Sequence, residues 1–80
     1  MRYSIVIPTL NEESTLISNL KFLQGLKEKL DAEIIVVDGQ SYDKTKEIAR
    51  SLTDKIYDVN PSRSLQLNKG VMHADGKYYI

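Results

Sequence analysis

Short polar side chains follow two apolar runs of this 80-residue chain, and their oxygen atoms suit the recognition of a nucleoside. Thr9, Asn11 and Glu12 come after the first run, and Asp38 ends the second. Hydroxyl, amide and carboxylate oxygens accept hydrogen bonds from the N–H and O–H groups of a base and a ribose. A structural interpretation stays open, because Asn11 and Glu12 also suit a helix N-terminus and Asp38 also suits a turn that binds local amides.

A later segment, residues 61–70, places several residues where a helix disfavours them. Arg63 lies in the first predicted turn, where the helix dipole disfavours a cation. It therefore indicates an anionic partner such as a phosphate, unless it forms an ion pair with Asp58. Asn68 has a poor propensity for a helix interior, so we expect its side chain to bond across to the turn after the first strand. Gly70 suits the close approach of a backbone or a ligand.

The elements that position these side chains alternate between strand and helix. We predict strands at residues 3–8, 33–38, 55–59 and 77–80. Between them we predict a first helix that has Asn11 as its N-cap and carries a leucine stripe to about residue 30. A second helix is capped by Asp43 and reaches residue 52, and a third runs from residue 62 to residue 74.

The order of these elements predicts where a ligand would bind. The β-branched run at residues 34–37 is typical of a strand buried on both faces of a parallel sheet. Open α/β sheets bind ligands at the carboxyl ends of their strands. The polar residues after the first two strands and Arg63 at the start of the third helix are therefore expected to converge on one pocket.

The composition excludes several classes of function. Lysine plus arginine equals aspartate plus glutamate at 11 each, so no net charge favours nucleic acid or an anionic membrane surface. The chain has no cysteine, no metal-ligand spacing, and neither a dinucleotide fingerprint nor a phosphate loop. No apolar run is long enough for a signal peptide or a transmembrane helix, and a cytoplasmic location is expected.

Three segments, in this order, resemble family-2 glycosyltransferases of the GT-A fold. They are Ser4-Ile-Val-Ile-Pro-Thr-Leu-Asn-Glu-Glu13, Ile34-Ile-Val-Val-Asp-Gly-Gln-Ser-Tyr-Asp-Lys-Thr45 and Asn68-x-Gly70-x-x-x-Ala74-x-Gly76-x-Tyr78. Leu67 departs from the arginine that many members carry before this asparagine, and Arg63 is expected to take its role. The resemblance implies a three-layer α/β/α, Rossmann-like open parallel sheet with strand order 3-2-1-4, as in the N-terminal part of a GT-A domain.

The resemblance implies a transferase that moves a sugar from a nucleoside diphosphate sugar to an unknown acceptor. Six residues are implied to bind the nucleotide: Pro8, Thr9, Glu12, Asp38, Arg63 and Asn68. The first three would line the nucleoside pocket, and Asp38 would accept a hydrogen bond from the base. The last two would lie toward the ribose and the diphosphate.

The resemblance also implies a divalent cation, Mg²⁺ or Mn²⁺, for the full-length enzyme. Its Asp-x-Asp ligands are expected just beyond Ile80, and the general base later still. No catalytic or metal-binding residue is therefore expected within this chain. Residues 1–80 alone are expected to have no transfer activity. Without the cation the charge on the leaving diphosphate would not be neutralised, and without the general base the acceptor hydroxyl would not be activated.

The domain prediction is that residues 1–80 form the N-terminal nucleotide-sugar-binding part of one larger glycosyltransferase domain. Three helices barely cover both faces of four strands, and the stability of so small a domain is marginal. Self-association of these 80 residues is therefore expected. Two alternatives remain: a non-catalytic α/β module that binds a nucleotide or a protein, and a receiver-type domain, which Glu12, Glu13 and Asp38 match only superficially.

Overall fold

A computed structural model describes residues 3–76 and 78–79 of the chain. Its elements, in chain order, are β1 (Tyr3–Thr9), α1 (Glu13–Lys29), β2 (Ala32–Asp38), α2 (Thr45–Ala49), β3 (Ile56–Asp58), α3 (Arg63–Met72) and β4 (Tyr78–Tyr79). The strands form one parallel sheet in the order β3-β2-β1-β4. The predicted fold class is confirmed, and the described strands follow the predicted order.

The register between β1 and β2 places the two predicted binding strands side by side. Tyr3 lies opposite Ala32 at one end, and Thr9 lies opposite Asp38 at the other. All seven residues of β2 are buried, as expected for a central strand covered on both faces.

The sheet separates two layers of helices. On one face Ile34 and Val36 pack with Leu16 of α1 and with Ala49 of α2 in the hydrophobic core. On the other face α3 lies so close to β1 that a Cβ at Gly70 would fall 2.2 Å from a methyl carbon of Val6. The three-layer arrangement is therefore present, and the predicted close approach at Gly70 is to β1.

The first two helices begin differently from the prediction. Asn11 is not an N-cap: it has a left-handed backbone, with φ of 50°, and α1 begins at Glu13 with no hydrogen bond to the side chain of its own N-cap residue, Glu12. Asp43 accepts from the N–H of Thr45 in a short turn, two residues before the start of α2, and that helix ends at Ala49.

The third helix and the edge strands follow the prediction more closely. The predicted start of α3 at Ser62 is confirmed to within one residue, since Ser62 caps the helix by accepting from the N–H of Leu65, but the helix ends at Met72. Strand β3 is shorter than predicted. Of the fourth predicted strand, positions 78 and 79 are confirmed, and positions 77 and 80 lie outside the described residues.

A buried carboxylate organises the amino edge of the sheet. Glu33 accepts hydrogen bonds from the hydroxyl of Ser4 at 2.5 Å and from the N–H groups of Asp75 and Gly76 at 2.5 and 3.0 Å. Its other oxygen pairs with the ammonium of Lys55. This network fixes the segment between α3 and β4 to the sheet.

Within the described residues, no helix combines the length and the apolar character required to cross a membrane.

Candidate functional site

The carboxyl edge of the sheet gathers the ends of β1, β2 and β3 and the starts of all three helices. We call this edge the rim and define it as residues 8–12, 38–45 and 58–63. Because each parallel strand is followed by a helix, every helix in the described chain starts at the rim. Helix N-termini carry partial positive charge, which favours an anion close to them. The rim's own side chains are mixed in charge, with four carboxylates and two cations.

Asp38 is the most deeply buried of the predicted site residues, with none of its surface exposed. One carboxylate oxygen accepts from the hydroxyls of Thr9 and Ser41, each at 2.7 Å, and the other accepts from the N–H of Ser41 at 2.6 Å. A carboxylate has about four acceptor positions, so only one remains for any other donor. The geometry shows that Asp38 holds the loop after β2, as in the turn interpretation.

Asn11 connects the loop after β1 to the loop after β2. Its N–H donates to the hydroxyl of Ser41 at 2.8 Å, and its side-chain oxygen accepts from the N–H of Tyr42 at 3.0 Å. The sequence predicted that Asn11 caps the helix next to it, but its side-chain oxygen accepts from a backbone N–H 31 positions away.

The N-termini of α1 and α2 are capped reciprocally. The N–H of Glu12 donates to the hydroxyl of Thr45 at 2.9 Å, and the carboxylate of Glu13 accepts from the N–H of Lys44 at 3.0 Å. A hydrogen bond from the Thr45 hydroxyl, more than any other contact, holds the pKa of the Asp43 carboxyl below its usual range. The side chain of Glu12 itself is exposed.

Gln66 fastens α3 to the ends of the two central strands. Its side-chain nitrogen donates to the carbonyl oxygens of Thr9 and Val37, both at 2.9 Å. At the same place the backbone of Pro61 approaches Gly39, where a Cβ would lie 3.1 Å from the Pro61 Cα. Gln66, and not Asn68 as expected, therefore bonds across to the first turn.

Arg63 is exposed in the first turn of α3 and forms no ion pair within the described part of the chain. Its expected alternative partner, Asp58, pairs with Lys46 at 3.0 Å. The cation at the start of α3 is thus left facing solvent at the rim.

A groove of about 500 Å³ lies beside the rim, between α3 and the loops after β2 and β3. Asn68 lines it together with Leu65, Met72, Gln40 and Asn60. Neither Thr9 nor Asp38 lines this groove. The structure therefore brings Pro8, Thr9, Glu12, Asp38 and Arg63 to the rim, whereas Asn68 faces the neighbouring groove.

The described residues do not fit a metal ion. They contain no group of three or more histidine, aspartate or glutamate side chains arranged as ligands. The carboxylates of Glu33 and Asp75 do approach one another, but both bind the ammonium of Lys55. No chemistry of a divalent cation can be assigned to these side chains.

Two residues that shape the rim were not predicted from the sequence. Ser41 follows Asp38 by three positions, and that spacing is a signal for an aspartate turn. Gln66 lies four positions before Gly70, on the side of α3 that faces the sheet. A polar residue on a buried helix face is a signal that its side chain has a hydrogen-bond partner in the sheet.

A family model described as Glycosyl transferase family 2 matches residues 4–80. The 4,4'-diaponeurosporenoate glycosyltransferase of Staphylococcus haemolyticus (strain JCSC1435) is 43% identical over 56 residues, which make up 70% of this chain and 14% of that protein. The dolichyl N-acetyl-alpha-D-glucosaminyl phosphate 3-beta-D-2,3-diacetamido-2,3-dideoxy-beta-D-glucuronosyltransferase of Methanococcus voltae is 33% identical over an alignment of 87 positions, which covers 96% of this chain and 27% of that protein.

A solved structure shares the fold. The crystal structure of S. aureus TarS, residues 1–349, matches with a TM-score of 0.80 and 24% identity, covering 100% of this chain and 27% of that chain. The chain thus spans between 14% and 27% of the length of these three proteins.

Proposed function

This chain belongs to glycosyl transferase family 2, and from that premise we propose that it is the nucleotide-sugar-binding part of a glycosyltransferase. The donor is a nucleoside diphosphate sugar, and the acceptor is not identified by any residue of the chain. One observation carries the proposal: the ends of β1 and β2 and the start of α3 meet at one edge, with Thr9 bonded to Asp38 at 2.7 Å.

The exposed cation at the start of α3 supports a diphosphate ligand. Arg63 is exposed and without an ionic partner in the described chain, and it lies at the N-terminus of α3. A guanidinium beside free helix N–H groups binds phosphate oxygens well, because charge-assisted hydrogen bonds add to the helix dipole. We assign Pro8, Thr9 and Glu12 to the nucleoside side and Arg63 to the diphosphate side. Asn68 belongs to this site only if the ligand extends into the neighbouring groove.

The expected cation, Mg²⁺ or Mn²⁺, remains a proposal for the longer protein. Strand β4 lies opposite β1 with an offset of 75 positions, since Tyr78 pairs with Tyr3. In a longer protein that kept this register, position 84 would lie beside Thr9 at the rim. That register supports the expectation that the acidic metal ligands follow Ile80. The inactivity of residues 1–80 alone and the cytoplasmic location stay predictions.

Nucleotide binding to the full-length protein tests the proposal, with Arg63→Ala as the informative variant. We expect wild-type protein to bind UDP or GDP, and the matching nucleoside more weakly. Arg63→Ala should weaken diphosphate binding by about tenfold or more, because a charge-assisted hydrogen bond is lost, and should leave nucleoside binding unchanged. Isothermal calorimetry at two salt concentrations measures both effects.

The matched control is Arg50→Ala, which removes an exposed arginine at the end of α2. It should change neither affinity. Asp38→Ala should also weaken nucleotide binding, since it removes the anchor of the loop after β2. If the full-length protein binds no nucleoside diphosphate, the transferase proposal is wrong and the non-catalytic module is favoured.

A further inference from the structure

Gln66 is 6% exposed, and its side-chain amide is held in one orientation by the ends of the central strands. Its nitrogen faces two carbonyl oxygens, those of Thr9 and Val37, at 2.9 Å each. Carbonyl oxygens only accept, so the amide must present its NH₂ group to them. If the amide were flipped, its oxygen would face both carbonyl oxygens, and none of the three could donate a hydrogen bond. The side-chain oxygen of Gln66 is therefore directed away from the strands.

That oxygen has no donor among the described residues. Both hydrogen bonds of the Gln66 side chain are made by its nitrogen. Every fully buried side-chain nitrogen or oxygen in the described chain has a hydrogen-bond partner. Because the Gln66 oxygen has none, it is not fully buried and is reached by solvent.

The oxygen of Gln66 and the carboxylate of Asp38 offer acceptors at the same edge, but only one is accessible. Asp38 has no exposed surface and already accepts three hydrogen bonds. Gln66 lies three positions after Arg63, so both residues lie on one side of the first turns of α3. Of the two acceptors, the Gln66 oxygen is therefore the one left unbonded and not fully buried, near the cation at the start of α3.

We propose that the side-chain oxygen of Gln66 accepts a hydrogen bond from the nucleoside part of the ligand, either from a base N–H or from a ribose O–H. This inference rests on the proposed function, since it needs a nucleotide at the rim. The fixed amide makes Gln66 an acceptor only, so the site selects ligands that carry a donor at that position. A site built for a donor rejects an analogue that lacks it.

A thermodynamic cycle on the full-length protein tests the contact. The protein variants are wild type and Gln66→Met, which keeps the length of the side chain but has no amide. The ligands are UDP, N3-methyl UDP and 2′- and 3′-deoxy UDP, or the corresponding GDP analogues if GDP binds better. We expect one analogue to bind wild type about 3- to 10-fold more weakly than its parent, as loss of one hydrogen bond predicts. Gln66→Met should bind that analogue and the parent equally.

The matched control is Gln24→Met, an exposed glutamine on α1 that lies in a shallow groove beside Ala32, at the amino edge of the sheet. It should keep the wild-type preference. If Gln66→Met weakens the parent and every analogue by the same factor, Gln66 only positions α3 and the inference is wrong. If wild type binds no nucleotide at all, the proposed function fails together with the inference.

A measurement on wild-type protein covers the case in which Gln66→Met does not fold. With glutamine labelled by ¹³C and ¹⁵N, the side-chain carbonyl resonance of Gln66 should shift when the parent nucleotide is added. The analogue that lacks the donor should leave this resonance unshifted at saturation. Equal shifts with both ligands would overturn the contact.

Discussion

Glu33 carries a charge in a strand whose seven residues are all buried. Burial raises the pKa of its carboxyl, but hydrogen bonds from Lys55, Ser4 and the Asp75 and Gly76 N–H groups outweigh that effect and lower the pKa to about 2. Contact with Glu33, and next with Asp75, raises the pKa of Lys55. The charged form of Glu33 is thus the form that the folded chain stabilises.

This network predicts how stability depends on pH. The unfolded carboxyl has an ordinary pKa of 4.5, so between pH 4.5 and about 2 the unfolded chain binds more protons and stability falls as the pH is lowered. The loss should reach about 3 kcal/mol, since one pKa unit is worth about 1.4 kcal/mol. Urea unfolding at a series of pH values measures it.

Glu33→Gln should be destabilised by about 2–4 kcal/mol near neutral pH, because Lys55 loses its buried partner. It should also lose most of the acid dependence below pH 4.5. Glu28→Gln, at an exposed position of α1, serves as the control and should keep it. An acid profile of Glu33→Gln identical to that of wild type would contradict the assignment.

Hydrogen-bond partners that are near in sequence leave a local signal in the sequence, and distant partners leave none. Ser62 was predicted to start the third helix, and its hydroxyl accepts a hydrogen bond from the N–H of Leu65, three positions later. Asn11 has the same chemistry, yet its oxygen binds Tyr42 across the rim. Gln66 donates to the carbonyl of Thr9, which is 57 positions away. This hydrogen bond depends on how α3 packs on the sheet, and no local pattern specifies that packing.

At the scale of elements, two glycines inside helices have opposite environments. A Cβ at Gly25 in α1 would meet nothing within 4 Å, whereas a Cβ at Gly70 in α3 would lie 2.2 Å from a methyl carbon of Val6. The sequence indicated close approach at Gly70 only. The structure explains the difference, since α3 lies directly against β1 and Gly25 faces open space.

Gly25→Ala and Gly70→Ala should therefore change stability in opposite directions. The first should stabilise the protein by about 0.5–1 kcal/mol, because alanine has the better helix propensity. The second should destabilise it by about 1–3 kcal/mol, because the added methyl group displaces Val6 or pushes α3 from the sheet. Urea midpoints of the two variants, measured beside wild type, provide the comparison. If both variants were destabilised, the claim that Gly25 faces open space would be wrong. If both were stabilised, the claim that Gly70 is tightly packed against Val6 would be wrong.

At the scale of the whole molecule, one side of β1 is largely open. Within the described residues, β4 pairs only with Tyr3 and Ser4, so residues 5–9 of β1 have β2 as their single neighbouring strand. Apolar side chains are exposed in both helix layers: Phe22 of α1 and Ile7 of β1 line one groove of about 270 Å³, and Leu67 and Val71 of α3 are exposed. An open strand edge with apolar flanks is a template for pairing with another chain.

We therefore expect the 80-residue chain to self-associate as its concentration rises from micromolar to millimolar. Sedimentation velocity should show dimers or larger species that Leu67→Lys with Val71→Lys shifts toward monomer. Ile17→Lys, at an exposed apolar position of α1, should leave the association unchanged. If the protein stayed monomeric throughout that range, the open side of β1 would not pair with another chain as proposed.

Fold class and the convergence of the two strand ends were predictable from the alternation of elements and from the buried run at residues 34–37, whereas the strand order was implied by the resemblance to family-2 glycosyltransferases. The length of α2 and the tight burial of Asp38 were not predictable. Both depend on how the loops after β1 and β2 pack on one another, and each loop supplies the missing hydrogen-bond partners of the other.

That exchange between the loops limits how the protein can be engineered. Replacing residues 10–13 with the segment of a relative would remove the acceptors for the N–H groups of Tyr42 and Lys44. Replacing residues 41–45 alone would orphan the N–H groups of Asn11 and Glu12 in the same way. A graft that aims to change ligand preference must therefore transplant both segments from one donor protein.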